Sequence, residues 1–271
     1  MDLRLPKDDR HFQYYLKTVG PEYQKKHRDY SLSFVKEHDI AVDVGAHVGT
    51  WAIDLEKVFN KVICFEPIQE HIDCLMENIQ HPEKVTVIGT ALGDHEEDVV
   101  FLDYDQPDNS GTASIRTEGK YKCKMRTFDS YNIDKINYLK VDIEGYELNF
   151  LRGAKETIIR TKPVINIEIK PSVDAHLVMD YLSDELGMTF QGRTIKDYVY
   201  MYTWQINNEY PYIGGKEKLM FHYYVEQPVV PQKVIERRWK ESIQSKIDSL
   251  EEYKKEIDSK IKECKEDLKA L

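Results

Sequence analysis

Asp43-Val-Gly45-Ala-His47-Val-Gly49-Thr50, directly after the apolar run Ile40-Ala-Val42, is where residue types and spacing first imply chemistry. An apolar strand that ends in a carboxylate and turns on spaced glycines builds a pocket for a nucleoside-bearing ligand. A backbone without Cβ atoms can bend sharply there and come close to what it binds. The spacing is not that of a dinucleotide site, which needs glycines at the first, third and sixth positions. Counted from Gly45, those places hold Gly, His47 and Thr50. The ligand should therefore carry no pyrophosphate seeking a helix N-terminus. Asp43 suits a cationic group, such as the amino-acid end of S-adenosylmethionine. Lys61-Val-Ile-Cys-Phe65 reads as the next buried strand and ends in Glu66-Pro67. Glu66 lies 21 positions beyond Gly45, near the spacing of about 20 at which an acid on the second strand accepts from ribose hydroxyls. Pro67 cannot continue a strand ladder, so Glu66 is left at the carboxyl edge, where open α/β sheets bind ligands.

A second cluster lies in Tyr138-Leu-Lys140-Val-Asp142-Ile-Glu144-Gly145-Tyr-Glu147, where an apolar strand turns into a helix. Alternation along the strand puts Lys140 and Asp142 on one side, with Asp142 at the end. Gly145 permits the sharp turn, and Glu147 suits a helix N-terminus, as a cap or as a charge near the dipole. Asp142 then faces the same edge as Asp43 and Glu66, and neighbouring carboxylates there shift one another's pKa enough for proton transfer. Glu168 ends Val164-Ile-Asn-Ile-Glu168, and an acid in so apolar a strand is costly unless it has a partner or faces the cleft.

These groups need elements to carry them. From Asp39 onward strands and helices alternate, the pattern of a parallel sheet with crossover helices. Strands are expected near 40–44, 61–65, 84–88, 97–103, 122–127, 137–142 and 163–169, and helices near 49–59, 69–80, 147–157 and 173–186. Gly111-Thr-Ala-Ser-Ile115 reads as a polar loop, and 190–227 as closing antiparallel strands. Residues 1–37 form an N-terminal helical segment of two short helices, with Pro21 suited to a first helical position. The core domain spans 38–227. Beyond Pro231, charge-rich sequence without Gly or Pro runs to Leu271. Ile243, Leu250, Ile257, Cys264 and Leu271 recur every seven residues, with Ile247, Lys254, Ile261 and Leu268 in the complementary position. That spacing predicts a C-terminal coiled-coil helix over 231–271 and self-association through it. The alternative is one long helix folded back on its own domain.

Six runs resemble the FkbM-type methyltransferases: Val42-Asp-Val-Gly-Ala-His-Val-Gly49, Cys64-Phe-Glu-Pro67, Ala91-Leu-Gly-Asp94, Leu139-Lys-Val-Asp-Ile-Glu-Gly-Tyr-Glu147, Leu151-Arg-Gly-Ala154 and Ile167-Glu168. They fall in the family's order over roughly residues 38–205. The resemblance implies a Rossmann-like class I methyltransferase, a mostly parallel sheet with helices on both faces, using S-adenosylmethionine. The acceptor in that family is usually a hydroxyl on a sugar or polyketide-like molecule. Carried over, Asp43, Gly45 and Gly49 line the methionine end of the cofactor and Glu66 holds the ribose. Ala91 or Leu92 lies by the adenine and Asp142 near the reacting methyl. His47, where asparagine is common in such enzymes, belongs to the same cofactor-binding turn.

The bulk numbers narrow the alternatives. A formal charge of -10 and a pI near 5.5 weigh against a nucleic-acid partner, because phosphate binding wants a basic surface. Cys64, Cys74, Cys123 and Cys264 show no paired metal-ligand spacing and read as reduced thiols of a cytoplasmic protein. The N-terminus is too charged for a signal peptide, and no apolar run approaches membrane-spanning length. The expected activity is an S-adenosylmethionine-dependent O-methyltransfer to a sugar or glycoconjugate hydroxyl, with Asp142, Glu144 and Glu168 as the catalytic acids. Those three could also form an oxygen-ligand set for a divalent metal, which is not the favoured reading. The rival from another class is a non-catalytic assembly protein that keeps the fold and oligomerises through its coiled coil.

Overall fold

The computed structural model describes residues 3–7, 9–19, 23–170, 175–196 and 199–206. Two helices lead the chain, Arg10–Val19 (α1) and Lys25–Leu32 (α2). Strands and helices then alternate through Ile40–Val44 (β1), Ala52–Val58 (α3), Lys61–Phe65 (β2), Gln69–Asn78 (α4) and Val85–Ile88 (β3). Four strands follow without a helix between them: Ala91–Leu92 (β4), Glu97–Gln106 (β5), Asn109–Arg116 (β6) and Tyr121–Arg126 (β7). The alternation resumes with Tyr138–Val141 (β8), Glu147–Gly153 (α5), Lys155–Thr161 (α6), Val164–Glu168 (β9) and Ala175–Asp180 (α7), and closes with Thr189–Lys196 (β10) and Val199–Gln205 (β11).

Seven strands form the main sheet in the order β10-β11-β9-β8-β1-β2-β3. β3, β2, β1, β8 and β9 run parallel, while β11 is antiparallel to β9 and β10 to β11. The chain leaves β1 toward β3 and later returns on the other side through β8. The strand order therefore reverses between β1 and β8, and the crevice above that reversal is where such sheets bind ligands.

Strand alternation sorts the core onto the two faces. Val42, Val44, Leu139, Val141, Ile165 and Ile167 cluster with Phe150, Leu151 and Ile158 from α5 and α6. Ala41, Val62 and Tyr138 cluster instead with Trp51, Ala52, Leu55 and Leu75 around α3 and α4. Both faces are thus covered by helices. Burying each such side chain contributes roughly 1.5–3 kcal/mol. The second face also carries a polar row. Register places Cys64, Asp43, Lys140, Asn166 and Thr203 side by side on β2, β1, β8, β9 and β11, and all five are buried.

The smaller sheet runs β4-β7-β5-β6. Its edge strand β6 corrects the loop expected at Gly111–Ile115. The small polar residues there resemble a loop, but they pair with β5 from Phe101↔Arg116 to Gln106↔Asn109. Two of the family-like runs meet where α5 crosses β4. A Cβ on Gly153 would lie 1.9 Å from the carbonyl oxygen of Gly93, so only a glycine allows this approach. Asn149 adds a hydrogen bond from Nδ2 to Asp94 Oδ2 at 2.9 Å. The helix expected over 147–157 is two short ones broken at Ala154, and the described residues of the one expected over 173–186 form α7 followed by a wider π-type turn over Tyr181–Glu185. α2 begins at Lys25; Pro21, residues 207–227 and the coiled-coil segment 231–271 lie outside the described residues. No helix among the described residues is long and apolar enough to cross a membrane.

Candidate active site

A cleft of about 620 Å³, its open mouth included, lies over the carboxyl ends of β1, β2 and β8. Gly45, His47 and Glu66 line one part of it, Asp142, Glu144 and Tyr146 another, and Phe65, Ala91, Leu92, Leu102, Ala113 and Ile115 give an apolar slot between β4 and the β5–β6 hairpin. Gly45 (φ 74°) is the point where β1 turns under β8. A Cβ there would fall 1.9 Å from the Asp142 carbonyl oxygen, so no other residue fits this turn. Gly49 sits elsewhere: it faces Leu75 of α4 and does not line the cleft.

Asp43 lies beneath the floor, fully buried and not on the cleft wall. Its Oδ1 is 3.1 Å from Lys140 Nζ, although neither carboxylate oxygen has a hydrogen bond of good geometry among the described residues. Lys140 donates to the Gly45 carbonyl at 2.7 Å and lies 3.8 Å from Asp142 Oδ2. Burial pulls the Lys140 ammonium down, but Asp43 and Asp142 outweigh that and hold it above its usual range. Burial pushes Asp43 up and Lys140 opposes it. One buried cation therefore ties together the β1 carboxylate, the glycine turn and the acid at the end of β8.

Glu66 is 4% exposed and almost fully engaged. Oε2 accepts from the His47 backbone N–H at 2.9 Å, while Oε1 accepts from the Ile68 N–H at 3.0 Å and lies 3.1 Å from His71 Nδ1. A carboxylate has about four acceptor positions, so one on Oε2 is left for a ligand hydroxyl. His47 holds a left-handed backbone (φ 49°), uncommon for a residue with a side chain. Burial, then His71 and Lys140, pull its imidazole well below the usual range, so the ring is neutral.

The acids of the second motif and of β9 do converge. Asp142, Glu144 and Glu168 each bring a carboxylate oxygen within 4.8 Å of the others. Burial and the Asp142 charge push Glu168 up to about 10, and a hydrogen bond to Asp142 adds to the shift. Burial and Asp142 raise Glu144 to about 7, against the pull of Lys170, whose ammonium pairs with Glu144. Glu147 stands apart from them: its Oε1 accepts from the Gly145 N–H at 3.0 Å and closes the turn into α5. Sequence reasoning did not single out Tyr146, His71 or Ser110, which also line the cleft. His71 carries the one available signal, a histidine on the first turn after Glu66-Pro67.

Residues 43–190, more than half of the chain, match the family described as the methyltransferase FkbM domain. Hexuronic acid methyltransferase AglP of Haloferax volcanii is 33% identical over 158 residues, which cover 56% of this chain. The match spans 65% of that relative's length. The crystal structure of methyltransferase FkbM from Methylobacillus flagellatus is 20% identical, with 69% of this chain and 51% of that one covered at a TM-score of 0.47. The structure of M. capricolum TrmK with S-adenosylhomocysteine is 10% identical, with 71% and 72% covered at a TM-score of 0.44.

Proposed function

The chain belongs to the FkbM methyltransferase family, and on that footing we propose that it is an S-adenosylmethionine-dependent O-methyltransferase acting on a sugar hydroxyl. Glu66 carries the reading. It is a buried carboxylate on the cleft wall, and one acceptor position remains after three protein donors are counted. That suits a ribose hydroxyl at the end of the second strand. The apolar slot by Ala91 and Leu92 suits a flat base, and the tight turn at Gly45 lets backbone approach the amino-acid end. Asp43 acts there indirectly, through Lys140, and not by touching the ligand.

S-adenosylmethionine supplies an electrophilic methyl when bound. What remains for the chain is to hold an acceptor oxygen in line and to take its proton. Asp142 and Glu144 share that second task at the cleft wall. Glu144, near 7, is poised for proton uptake at neutral pH. Glu168 keeps its proton at that pH and therefore holds Asp142 and does not act as a base. We place no metal among the three acids, because Lys170 and Lys140 already supply cations beside them. The sugar class rests on the name of the Haloferax relative and on the family resemblance.

The test is incubation of the full chain with S-adenosylmethionine and extracted glycans, read by mass spectrometry. The expected result is a sugar gaining the mass of one methylene, with S-adenosylhomocysteine formed in step. Cofactor binding with no methylated glycan would remove the sugar acceptor. No cofactor binding at all would favour the assembly-protein reading.

A further inference from the structure

Glu66 is gripped from the second sheet by a chain of hydrogen bonds. His71, 1% exposed, has Nδ1 3.1 Å from Glu66 Oε1 and Nε2 3.0 Å from the Tyr104 hydroxyl on β5. Tyr121 on β7 donates to Tyr104 at 2.9 Å. Tyr104 accepts from Tyr121, so its own proton points to His71 Nε2. In that arrangement His71 Nδ1 is the donor to Glu66. Burial holds the Tyr104 hydroxyl above its ordinary value, so Tyr104 keeps the proton it donates. The His71 and Tyr104 rings lie nearly parallel, 6° apart with centroids at 5.9 Å, which fixes the imidazole plane.

The other carboxylate oxygen is set separately. His47 donates its backbone N–H to Oε2 at 2.9 Å. Its ring Nε2 lies 2.6 Å from Ser110 Oγ on β6, and Ser110 in turn donates to Asp9. The His47 and His71 rings meet edge to face at 4.5 Å. One oxygen is thus fixed through β5 and β7, the other through the glycine turn and β6.

We propose that His71, Tyr104 and Tyr121 are positioning residues for the cofactor, a directed relay that fixes Glu66 so that its last acceptor position meets one ribose hydroxyl. This rests on the reading of Glu66 as the ribose acceptor. The relay gives the second sheet a task in binding as well as in walling the cleft. The same logic operates in metal sites, where a partner on the far nitrogen of a histidine fixes its tautomer and orientation.

The experiment is calorimetric titration of the full chain with S-adenosylhomocysteine and with analogues lacking one ribose hydroxyl at a time. The variants are Tyr104→Phe, Tyr121→Phe, Glu66→Gln and the pair Tyr104→Phe/Glu66→Gln, with thermal melting of each to confirm folding. Tyr104→Phe removes one hydroxyl and keeps the ring stack. It should weaken binding by about five- to tenfold, the effect of one hydrogen bond, and Tyr121→Phe by less. The decisive readout is non-additivity. Tyr104→Phe should cost nothing further in the Glu66→Gln background, or with the analogue lacking the contacted hydroxyl. An equal loss in both backgrounds would make Tyr104 structural and overturn the relay, as would unchanged affinity in Tyr104→Phe beside a weakened Glu66→Gln. Unchanged affinity in Glu66→Gln itself would overturn the ribose reading and the relay with it.

Discussion

Asp43 and Glu168 stand on the same sheet face, near the carboxyl ends of β1 and β9, and both are buried. Their neighbours make them different groups. Asp43 has the Lys140 ammonium at 3.1 Å and lies under the cleft floor. Glu168 faces Asp142 and Glu144 and is pushed up to about 10. The first carboxylate meets a buried cation that opposes the cost of its burial, and it serves the architecture of the turn. The second meets two like charges that outweigh Lys170 and holds a proton beside the acids expected to do chemistry. An acid at a strand end is therefore assigned by the charge it meets, and the residue that separates these two cases is Lys140.

The strongest way to break this contrast is to remove Lys140. Lys140→Met leaves Asp43 buried and unpaired and should destabilise the fold by roughly 3–5 kcal/mol, as for other broken buried pairs. The midpoint of denaturant unfolding measures it, and a loss within about 0.5 kcal/mol, the range of ordinary surface substitutions, would show that Asp43 is not held by charge. Next in size is Asp142→Asn, which keeps shape and hydrogen bonding but removes the proton acceptor. Methyl transfer should fall by about a hundredfold or more, with S-adenosylhomocysteine affinity and thermal stability kept. Full activity would move the base role to Glu144.

A smaller effect sharpens the other side of the contrast. Glu168 carries more proton in the folded state than the unfolded value of 4.5 allows, so its contribution to stability is complete below about 4.5 and is lost as pH rises toward about 10. Folding stability should decline with pH across that window. Glu168→Gln, which mimics the protonated acid, should flatten the decline and raise the melting temperature near pH 9 by a few degrees, while at pH 4 the two proteins should match. A parallel decline in the variant would contradict the assignment. The smallest expected effect on the site comes from the tail. Removing the chain beyond Gln232 should leave cofactor affinity unchanged and, if the seven-residue spacing forms a coiled coil, lower the solution mass by light scattering to that of a monomer. A full-length monomer would show that the tail does not assemble the protein.

Much of this arrangement was legible in the sequence because its signals are local. The apolar runs at 40–42 and 61–65, each followed by an acid, give strand ends that periodicity alone can place, and the strands end close to them, at Val44 and Phe65. The convergence of Asp142 with Glu168 also followed from two strands pointing the same way. What was not legible depends on contacts across the chain. Glycine spacing could not show that Gly45 passes under Asp142 while Gly49 faces a helix. The small, polar residues of β6 carry no strand pattern, and the strand exists because β5 pairs with it. Nothing in the run around Lys140 indicates that it reaches the carbonyl of Gly45, 95 residues away. The break at Ala154 escaped because each half of the segment is a good helix by itself.

The proposed function has the cleft binding S-adenosylmethionine with Glu66 on the ribose. Titration of S-adenosylhomocysteine into the full chain and into Glu66→Ala tests it most directly. One site per chain is expected, with a loss of about 1.5–3 kcal/mol in Glu66→Ala, the scale of a hydrogen bond to a charged group. No binding to the full chain, or the same affinity in both proteins, would contradict it.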